Sequence, residues 1–508
     1  MNNFIENILS IFQDLSDFIW DFPTNFDWYA NLPIIGNLSL VIILLLGTGI
    51  YFTIYLHFVQ IKYFGYGIRS LINSYDTGKG ISPLTSFFLS TAMRVGPGNI
   101  LGVTGAVSTG GPGALFWMWL SSLFGMSTAF VESTLSQIYK DKQENDYIGG
   151  MPCYGRKLLG GAAFIGTGLG LLYIIYAILC IPAQGFNTIS AMVSIYQGLN
   201  DVKISADSAL VWIFFFIIMV FTAFSIFGGL KRITKITDVL VPIMAIIYFL
   251  MVLFMVMLNI DLLPWFFYVV ITEAFKPESI FGGAVGLAIS QGIKRGLMSN
   301  EAGQGTLTMP AAVSDVKHPC EQGCIQAIGV FLDTIVICTL TGFVVIMGQS
   351  WLKDGAAEWF ELGRLDKFLA SCAQMLGNGD SYDTIILIVS ICFGIFAFTC
   401  LLGFLSFSEI CARQISDNKL FIIIIRFLNL AVLAFGMAAN IAGFDLSALW
   451  NLSDFANIIM VCCNLPLLYL GIGKVSKALK IFNRENVYFN SETFGESLPV
   501  WDEKSNRR

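Results

Sequence analysis

Long apolar runs dominate this chain, and short polar stretches separate them. A helix needs roughly 20 mostly apolar residues to cross the hydrocarbon core of a bilayer. Eleven runs qualify: 33–56, 83–108, 112–138, 162–197, 207–228, 237–258, 280–312, 322–349, 383–411, 420–438 and 446–472. The pattern predicts an all-α polytopic membrane protein with 11 transmembrane helices. The stretch LPWFFYVVITEAF at 263–275 is too short to span, and its aromatics suit a helix lying in the interface. The acidic stretch 350–382 predicts a short surface helix, and the polar tail after Lys480 predicts partial disorder.

Composition agrees. Only 13% of the 508 residues are charged and 56% are hydrophobic, where soluble domains average about 25% charged. A net charge of −6 with two histidines offers no basic footprint for nucleic acid. The start MNNFIENILS lacks a positive n-region, so no cleavable signal peptide is expected. Of 11 cysteines, Cys180, Cys338, Cys392, Cys400, Cys462 and Cys463 sit inside apolar runs. Cys372 alone is placed in an outer loop, which argues against a disulfide framework or a C-x-x-C metal site.

Lysine and arginine set orientation, because cytoplasmic loops retain them. Residues 1–30 hold five acidic residues and no Lys or Arg, which places that end outside. Alternate loops and the carboxyl-terminal tail then hold 20 of the 29 Lys and Arg, the outer loops hold five, and Arg94, Lys294, Arg295 and Arg426 lie in spans. The expected topology in the cell (inner) membrane is amino terminus out, carboxyl terminus in, with an odd number of spans.

Two runs break their own helices. RVGPGNILGVTGAVSTGGPG (94–113) holds seven glycines and two prolines, and GGAVGLAISQGIKRGLMSNEAGQGT (282–306) is similarly glycine-rich with Lys294, Arg295 and Glu301 at membrane depth. With the first span set aside, ten remain, and one broken helix opens each group of five. Paired interrupted segments at matching positions mark an inverted-repeat transporter with its site at the midplane. An unwound helix offers bare N–H groups to a carboxylate and carbonyls to a cation. Tight helix packing is the alternative use of such glycines, but Gly96-Pro97-Gly98 interrupts the hydrogen bonding itself.

The segments GPGNILGV, GGPGALFWMW, GIKRGLMSNEAGQGT, DVKHPCEQG, VFLDTIVICT, FAFTCLLGF and HFVQIKYF resemble motifs of the alanine or glycine:cation symporter family, also called sodium:alanine symporters, over about residues 32–470. The resemblance implies a leucine-transporter-type 5+5 inverted repeat plus one extra N-terminal helix. Its parts would be an extracellular segment 1–31, the extra helix 32–56, repeats 83–258 and 280–472, and a cytoplasmic tail 473–508. It implies a secondary symporter importing alanine or glycine with sodium, without an organic cofactor. The chain departs from the family pattern at Pro97, Cys400, Phe404, Gln304-Gly305-Thr306 and GGMPCY (149–154).

Gly96, Gly98 and Asn99 are the first substrate candidates: backbone N–H groups for a carboxylate, with Asn99 fixing the loop or capping the half-helix. Ser299, Asn300, Gly303 and Gln304 face the same gap from the other repeat and would accept the ammonium. Gln184 and Asn187, one turn apart, either line the pocket or bond between helices. Carried over by position, sodium would take backbone oxygens near Val95 or Gly96, the Ala397 carbonyl and the Thr399 hydroxyl, and Cys400 puts a soft thiol where the family has a hydroxyl. Thr399 back-bonding to its own helix is the alternative. Glu301 needs a partner in the membrane or a proton; Lys294 or Arg295 would pair with it. Arg94 and Glu132 are candidates for a cytoplasmic gate, and Asp333 and Glu409 for network residues. The alternatives in function are a proton-coupled amino-acid transporter, a channel, and a membrane-embedded enzyme, the last disfavoured because no H-E-x-x-H or G-x-S-x-G element occurs. The partners expected are a small amino acid and the lipid bilayer.

Overall fold

Apolar runs of this length fold as helices because lipid leaves backbone N–H and C=O groups no partner but each other. The computed structural model describes residues 14–32, 35–74, 80–143, 146–200, 202, 204–205, 208–276, 284–348, 356–376, 381–444, 446–484 and 487–505. The principal helices are α1 (Leu40–Tyr55), α2 (Pro83–Arg94), α3 (Pro97–Gly110), α4 (Ala114–Ile138), α5 (Ala163–Asn200), α6 (Ala209–Phe227) and α7 (Leu230–Leu258). They continue with α8 (Ala284–Asn300), α9 (Thr308–Val313), α10 (Pro319–Met347), α11 (Ser381–Ile415), α12 (Lys419–Ile441) and α13 (Leu446–Phe482).

Eight of these, α4 to α7 and α10 to α13, are long and apolar enough to cross a membrane. The other three expected spans differ in form. α1 has 16 residues, and the runs at 83–108 and 280–312 are each split into two helices. Residues 277–283, where the second of these runs begins, lie outside the described residues. Helix starts follow local chemistry. Ser82 Oγ accepts from Thr85 N at 3.0 Å with Pro83 behind it, and Asn418 caps α12. α7 begins after Gly229, whose φ of 67° favours glycine, so Lys231, Arg232 and Lys235 lie on its first turns and not in a loop.

The two halves are built alike. α4 packs on α10, α5 on α11 and α6 on α12, so helices at matching positions are neighbours, and α3 of the first broken pair packs on α8 of the second. This is a leucine-transporter-type arrangement. α6 turns Phe216, Val220, Phe221 and Phe224 outward, each more than 60% exposed, which suits lipid. The segment expected in the interface forms the helix Leu263–Ala274, and the outer stretch carries two helices, Ala356–Glu361 and Arg364–Leu376, where one was expected. Cys372 is buried there, and all eleven cysteines are free thiols.

The Lys/Arg-rich loops gather at one end. A hairpin of β1 (Asp141–Gln143) and β2 (Asp146–Ile148) lies there, Lys140 Nζ donates to the Ser314 carbonyl at 2.8 Å, and Ile81 bridges to Ser314. The expected disorder of the tail is corrected here: residues 487–505 fold onto this end. Trp501 is 1% exposed and its indole N–H donates to the Gln137 carbonyl at 3.0 Å, while Phe489 and Phe494 are buried. Their apolar area offsets the ordering entropy that the charged composition alone would not. His318 packs at a tilt against Phe482 and edge-on against Phe489, and burial pushes its pKa down to about 3, so its ring stays neutral.

Candidate functional site

The first broken helix ends at Arg94 and restarts at Pro97. Pro97 cannot donate a backbone hydrogen bond, and Gly96 takes an extended conformation. Asn99 closes the gap from its own side: Asn99 Oδ1 accepts from Gly96 N at 2.8 Å. Its amide Nδ2 donates to Asp333 Oδ1 at 2.6 Å and to Ser299 Oγ at 3.1 Å. Ser299 Oγ donates to Asp333 Oδ2 at 2.8 Å. Asp333 lies in a π-helical stretch of α10, Phe331–Cys338, a local widening that often marks a functional site. One buried carboxylate therefore ties the first broken helix to the second.

The second break spans residues 301–307. Glu301, Gly303 and Gly305 have φ of 57°, 87° and 85°, so the chain turns through left-handed conformations. The glycine main chain there is engaged, while Glu301 Oε2, Gln304 Oε1 and Thr306 Oγ1 have no partner among the described residues. Gly303 N and Gly305 N donate to Glu132 Oε1 and Oε2 at 3.2 and 3.1 Å. Asn464 Nδ2 donates to Glu132 Oε2 at 2.9 Å and to the Gly303 carbonyl at 3.0 Å, and Tyr173 donates to the Gly305 carbonyl at 2.6 Å.

Between the breaks lies a cavity of about 80 Å³. Gly96, Pro97, Gly98 and Gly102 form one wall, Gln184, Tyr176 and Cys180 of α5 another, Ser299 and Glu301 a third, and Trp450, Ser453 and Asn457 of α13 a fourth. Cys400 and Phe404 close it from α11. Around it stand polar atoms with no hydrogen-bond partner among the described residues: Gln184 Oε1, Glu301 Oε2, Trp450 Nε1 and Asn457 Oδ1. Each such buried atom costs about 1–3 kcal/mol unless something fills it. The glycines of the first wall are not demanded by packing: a Cβ at Gly98 would meet nothing nearer than 3.9 Å, and one at Gly96 nothing nearer than 3.5 Å. They leave main chain bare toward the cavity, where the first-turn N–H of Gly98 faces no helical partner.

The candidate residues fall into groups. Gly96, Gly98, Gln184, Ser299, Arg94, Arg295, Glu301 and Cys400 line the cavity. Asn99 does not; it acts as the cap and tie. Asn187 faces a second cavity, and Asn300 Nδ2 bonds Thr334 at 3.3 Å while its Oδ1 accepts from Ala302 N at 3.1 Å. Gly303 N and carbonyl are held by Glu132 and Asn464, and Gln304 Nε2 reaches back to the Leu297 carbonyl at 3.2 Å. Of the groups expected to face the substrate from this break, the Gly303 carbonyl is held by Asn464, and Gln304 Oε1 has no partner among the described residues.

The charge pairs also differ. Arg94 donates to the carbonyl and side chain of Gln326, and Glu132 serves the second break, so these two form no gate pair. Neither Lys294 nor Arg295 pairs with Glu301. Lys294 lies over the Trp20 ring at 4.7 Å, and Arg295 reaches the Met298 sulfur at 3.8 Å. Glu301 lies beyond the end of α8 at Asn300, in a left-handed conformation with φ 57°, so helical spacing does not set its partner. The Thr399 hydroxyl donates to the carbonyls of Ile395 (2.9 Å) and Phe396 (3.2 Å), because helix carbonyls point toward residues three and four ahead. The Phe396 carbonyl thus lies beside the Thr399 hydroxyl, with that of Ala397 next along the helix. Cys400 Sγ sits 3.6 Å from the Met93 carbonyl, beside the break that Val95 enters.

Trp450, Ser453 and Asn457 were missed. Their spacing of three and four within an apolar helix puts them on one face, a signal available in NLSDFAN and its flank. Arg364, on the outer stretch, carried no such signal.

Two half-helices around a cavity with unpartnered polar atoms, inside a bundle of two like halves, define a secondary transporter of the leucine-transporter fold. The transporter MhsT, solved in complex with L-phenylalanine, superposes over 84% of this chain and 95% of its own with a TM-score of 0.58, at 13% identity. The chain belongs to the sodium:alanine symporter family, whose model matches residues 27–494. Similar proteins include the amino-acid carrier protein AlsT of Bacillus subtilis, 33% identical over 96% of this chain and 94% of its own. The probable sodium/glutamine symporter GlnT of the same organism is 35% identical over 88% of each chain. The sodium/alanine symporter AgcS of Methanococcus maripaludis is 32% identical over 87% of this chain and 94% of its own. The protein is thus a multi-pass, cation-coupled amino-acid symporter.

Proposed function

We propose that this protein imports alanine or glycine together with sodium, by alternating access, across the cell membrane with its amino terminus outside. The observation that carries the reading is the cavity of about 80 Å³, walled by bare glycine backbone on one side and unpartnered acceptors on the other. That space holds about five to eight water-sized groups, the size of a small amino acid. The substrate carboxylate lies against the N-terminus of α3 at Gly98, where the helix dipole favours a negative charge. The ammonium faces Gln184 Oε1, Asn457 Oδ1 and Glu301. Ser299 joins the substrate wall to the Asp333 tie, so filling the cavity is felt by both broken helices.

Sodium binds beside the first break, at main-chain oxygens of Val95 and Gly96 with the carbonyl of Ala397 or Phe396 and the Thr399 hydroxyl across from them. Hard oxygen ligands suit that ion. AgcS and GlnT are named for sodium coupling, which supports the same ion here. The excess of Lys and Arg on one set of loops supports the orientation.

The test is a melting-temperature panel of purified protein with alanine, glycine, serine, glutamine and phenylalanine, in sodium and in choline. Alanine or glycine should stabilise in sodium alone, by linkage between ligand and fold. Equal stabilisation in choline would reject sodium coupling and favour protons, with Glu301 as carrier. Stabilisation by glutamine and not by alanine would reassign the substrate.

A further inference from the structure

A second cavity, of about 410 Å³, adjoins the substrate cavity and shares four of its wall residues, Leu101, Arg295, Arg364 and Trp450. Leu101 is the residue of α3 in the shared wall, and a row of glycines flanks it on the same helix. Gly98, Gly102 and Gly105 stand four and three residues apart, so they lie along one side of the helix. Each is faced by a different side chain. A Cβ at Gly98 would approach Trp450 at 3.9 Å, one at Gly102 the Arg295 Cδ at 3.8 Å, and one at Gly105 the Arg364 Nε at 3.0 Å.

The two arginines make no hydrogen bond to oxygen or nitrogen and no ion pair among the described residues; Arg295 has only the Met298 sulfur at 3.8 Å. A guanidinium carries five N–H donors in a fork that fits a carboxylate. Asp454 lines the same cavity, is 7% exposed, and its Oδ1 has no partner. The cavity therefore offers two cationic forks without a hydrogen-bonded acid, the carboxylate of Asp454 within electrostatic reach of both and with one unsatisfied oxygen, and Asp366 as a second acid in its lining.

We propose that this outer cavity is a capture site for the amino-acid zwitterion, in which Arg295 and Arg364 hold the carboxylate and Asp454 the ammonium before the substrate passes Trp450 along the glycine face of α3. The inference rests on the functional reading above. Charge complementarity at the mouth of a cleft raises the local substrate concentration and the rate of entry. Arg364 stands at the exposed rim, so it acts on entry rather than on the closed complex.

The experiment uses the full chain, with Arg364→Gln and Arg364→Lys. Propionate, a carboxylate without an ammonium, is the probe for the outer cavity and does not depend on which solute is transported. Propionate should raise the melting temperature of the wild type and of Arg364→Lys, but not of Arg364→Gln. In proteoliposomes, labelled alanine uptake by Arg364→Gln should show KM raised about three- to tenfold, with the maximal rate reduced less than about twofold, and Arg364→Lys should recover part of the loss. Equal propionate stabilisation of wild type and Arg364→Gln, or uptake curves that superimpose, would overturn the capture site. Wild type that takes up no alanine would instead sink the functional reading, while the propionate result still decides the outer cavity.

Discussion

The two broken helices solve one physical problem in opposite ways. Both expose backbone where lipid cannot satisfy it. At the second break the protein satisfies the glycine main chain itself: Glu132 takes two N–H groups, and Asn464 and Tyr173 take two carbonyls, while Glu301 Oε2, Gln304 Oε1 and Thr306 Oγ1 stay unpartnered among the described residues. At the first break only Asn99 intervenes, and the glycine face beyond it stays open to a cavity ringed by unpartnered atoms. A break whose glycine main chain is held by buried side chains serves as a frame, and only its edge at Glu301 faces the cavity. A break left incomplete is where a ligand completes the bonding. Unwinding by itself therefore does not mark a binding surface.

The largest expected effect tests the frame. Glu132→Ala leaves Gly303 N, Gly305 N and one Asn464 amide hydrogen without their acceptor in a buried setting, a loss of about 3–5 kcal/mol. Purified variant should melt far below wild type, with or without alanine. A melting temperature within about 2 °C of wild type would break the contrast, since the second break would then stand without its carboxylate.

A matched pair of substitutions sharpens it. Gly98→Ala adds a methyl group where nothing lies within 3.9 Å on a helical residue, so stability should hold or rise slightly. The methyl group enters the substrate wall, and alanine affinity should fall about tenfold to a hundredfold. Gly303→Ala places the same methyl group at φ 87°, 3.0 Å from Leu45. It should cost about 1–2 kcal/mol of stability, with a smaller change in affinity. Melting curves and labelled-alanine binding on both proteins check the pair; an exchange of the two outcomes would assign the frame and the ligand surface the other way round.

Much of this was legible in the residues. Gly96-Pro97-Gly98 and the glycine-rich run to Gly305 located both interruptions, because backbone chemistry is local. What each break does with its polar groups was not local. Glu132 is 171 residues from Gly303, and Asn464 is 161 residues from it on the other side. A single sequence pairs a buried acid with the nearest opposite charge in span order, which led to Arg94 with Glu132. The fold instead gives Arg94 to Gln326 and keeps Glu132 for main-chain N–H groups. The face Trp450–Ser453–Asn457 was written in helical spacing and overlooked. The order of the tail was hidden for another reason: Phe489, Phe494 and Trp501 are scattered among charges and gain burial only from loops elsewhere in the chain.

The smallest effect asks whether the open break holds the ion as well as the amino acid. Cys400 lines the cavity with its Sγ 3.6 Å from the Met93 carbonyl, next to the break and next to Thr399. A thiol is a soft ligand and a poor match for a hard cation. Cys400→Ser replaces it with an oxygen in nearly the same volume, so the fold should be undisturbed. If sodium sits between α11 and the first break, the sodium concentration for half-maximal alanine uptake should fall about two- to fivefold, with alanine affinity at saturating sodium almost unchanged. An unaltered sodium dependence would move the ion away from this break, and the first broken helix would then complete itself with the amino acid alone.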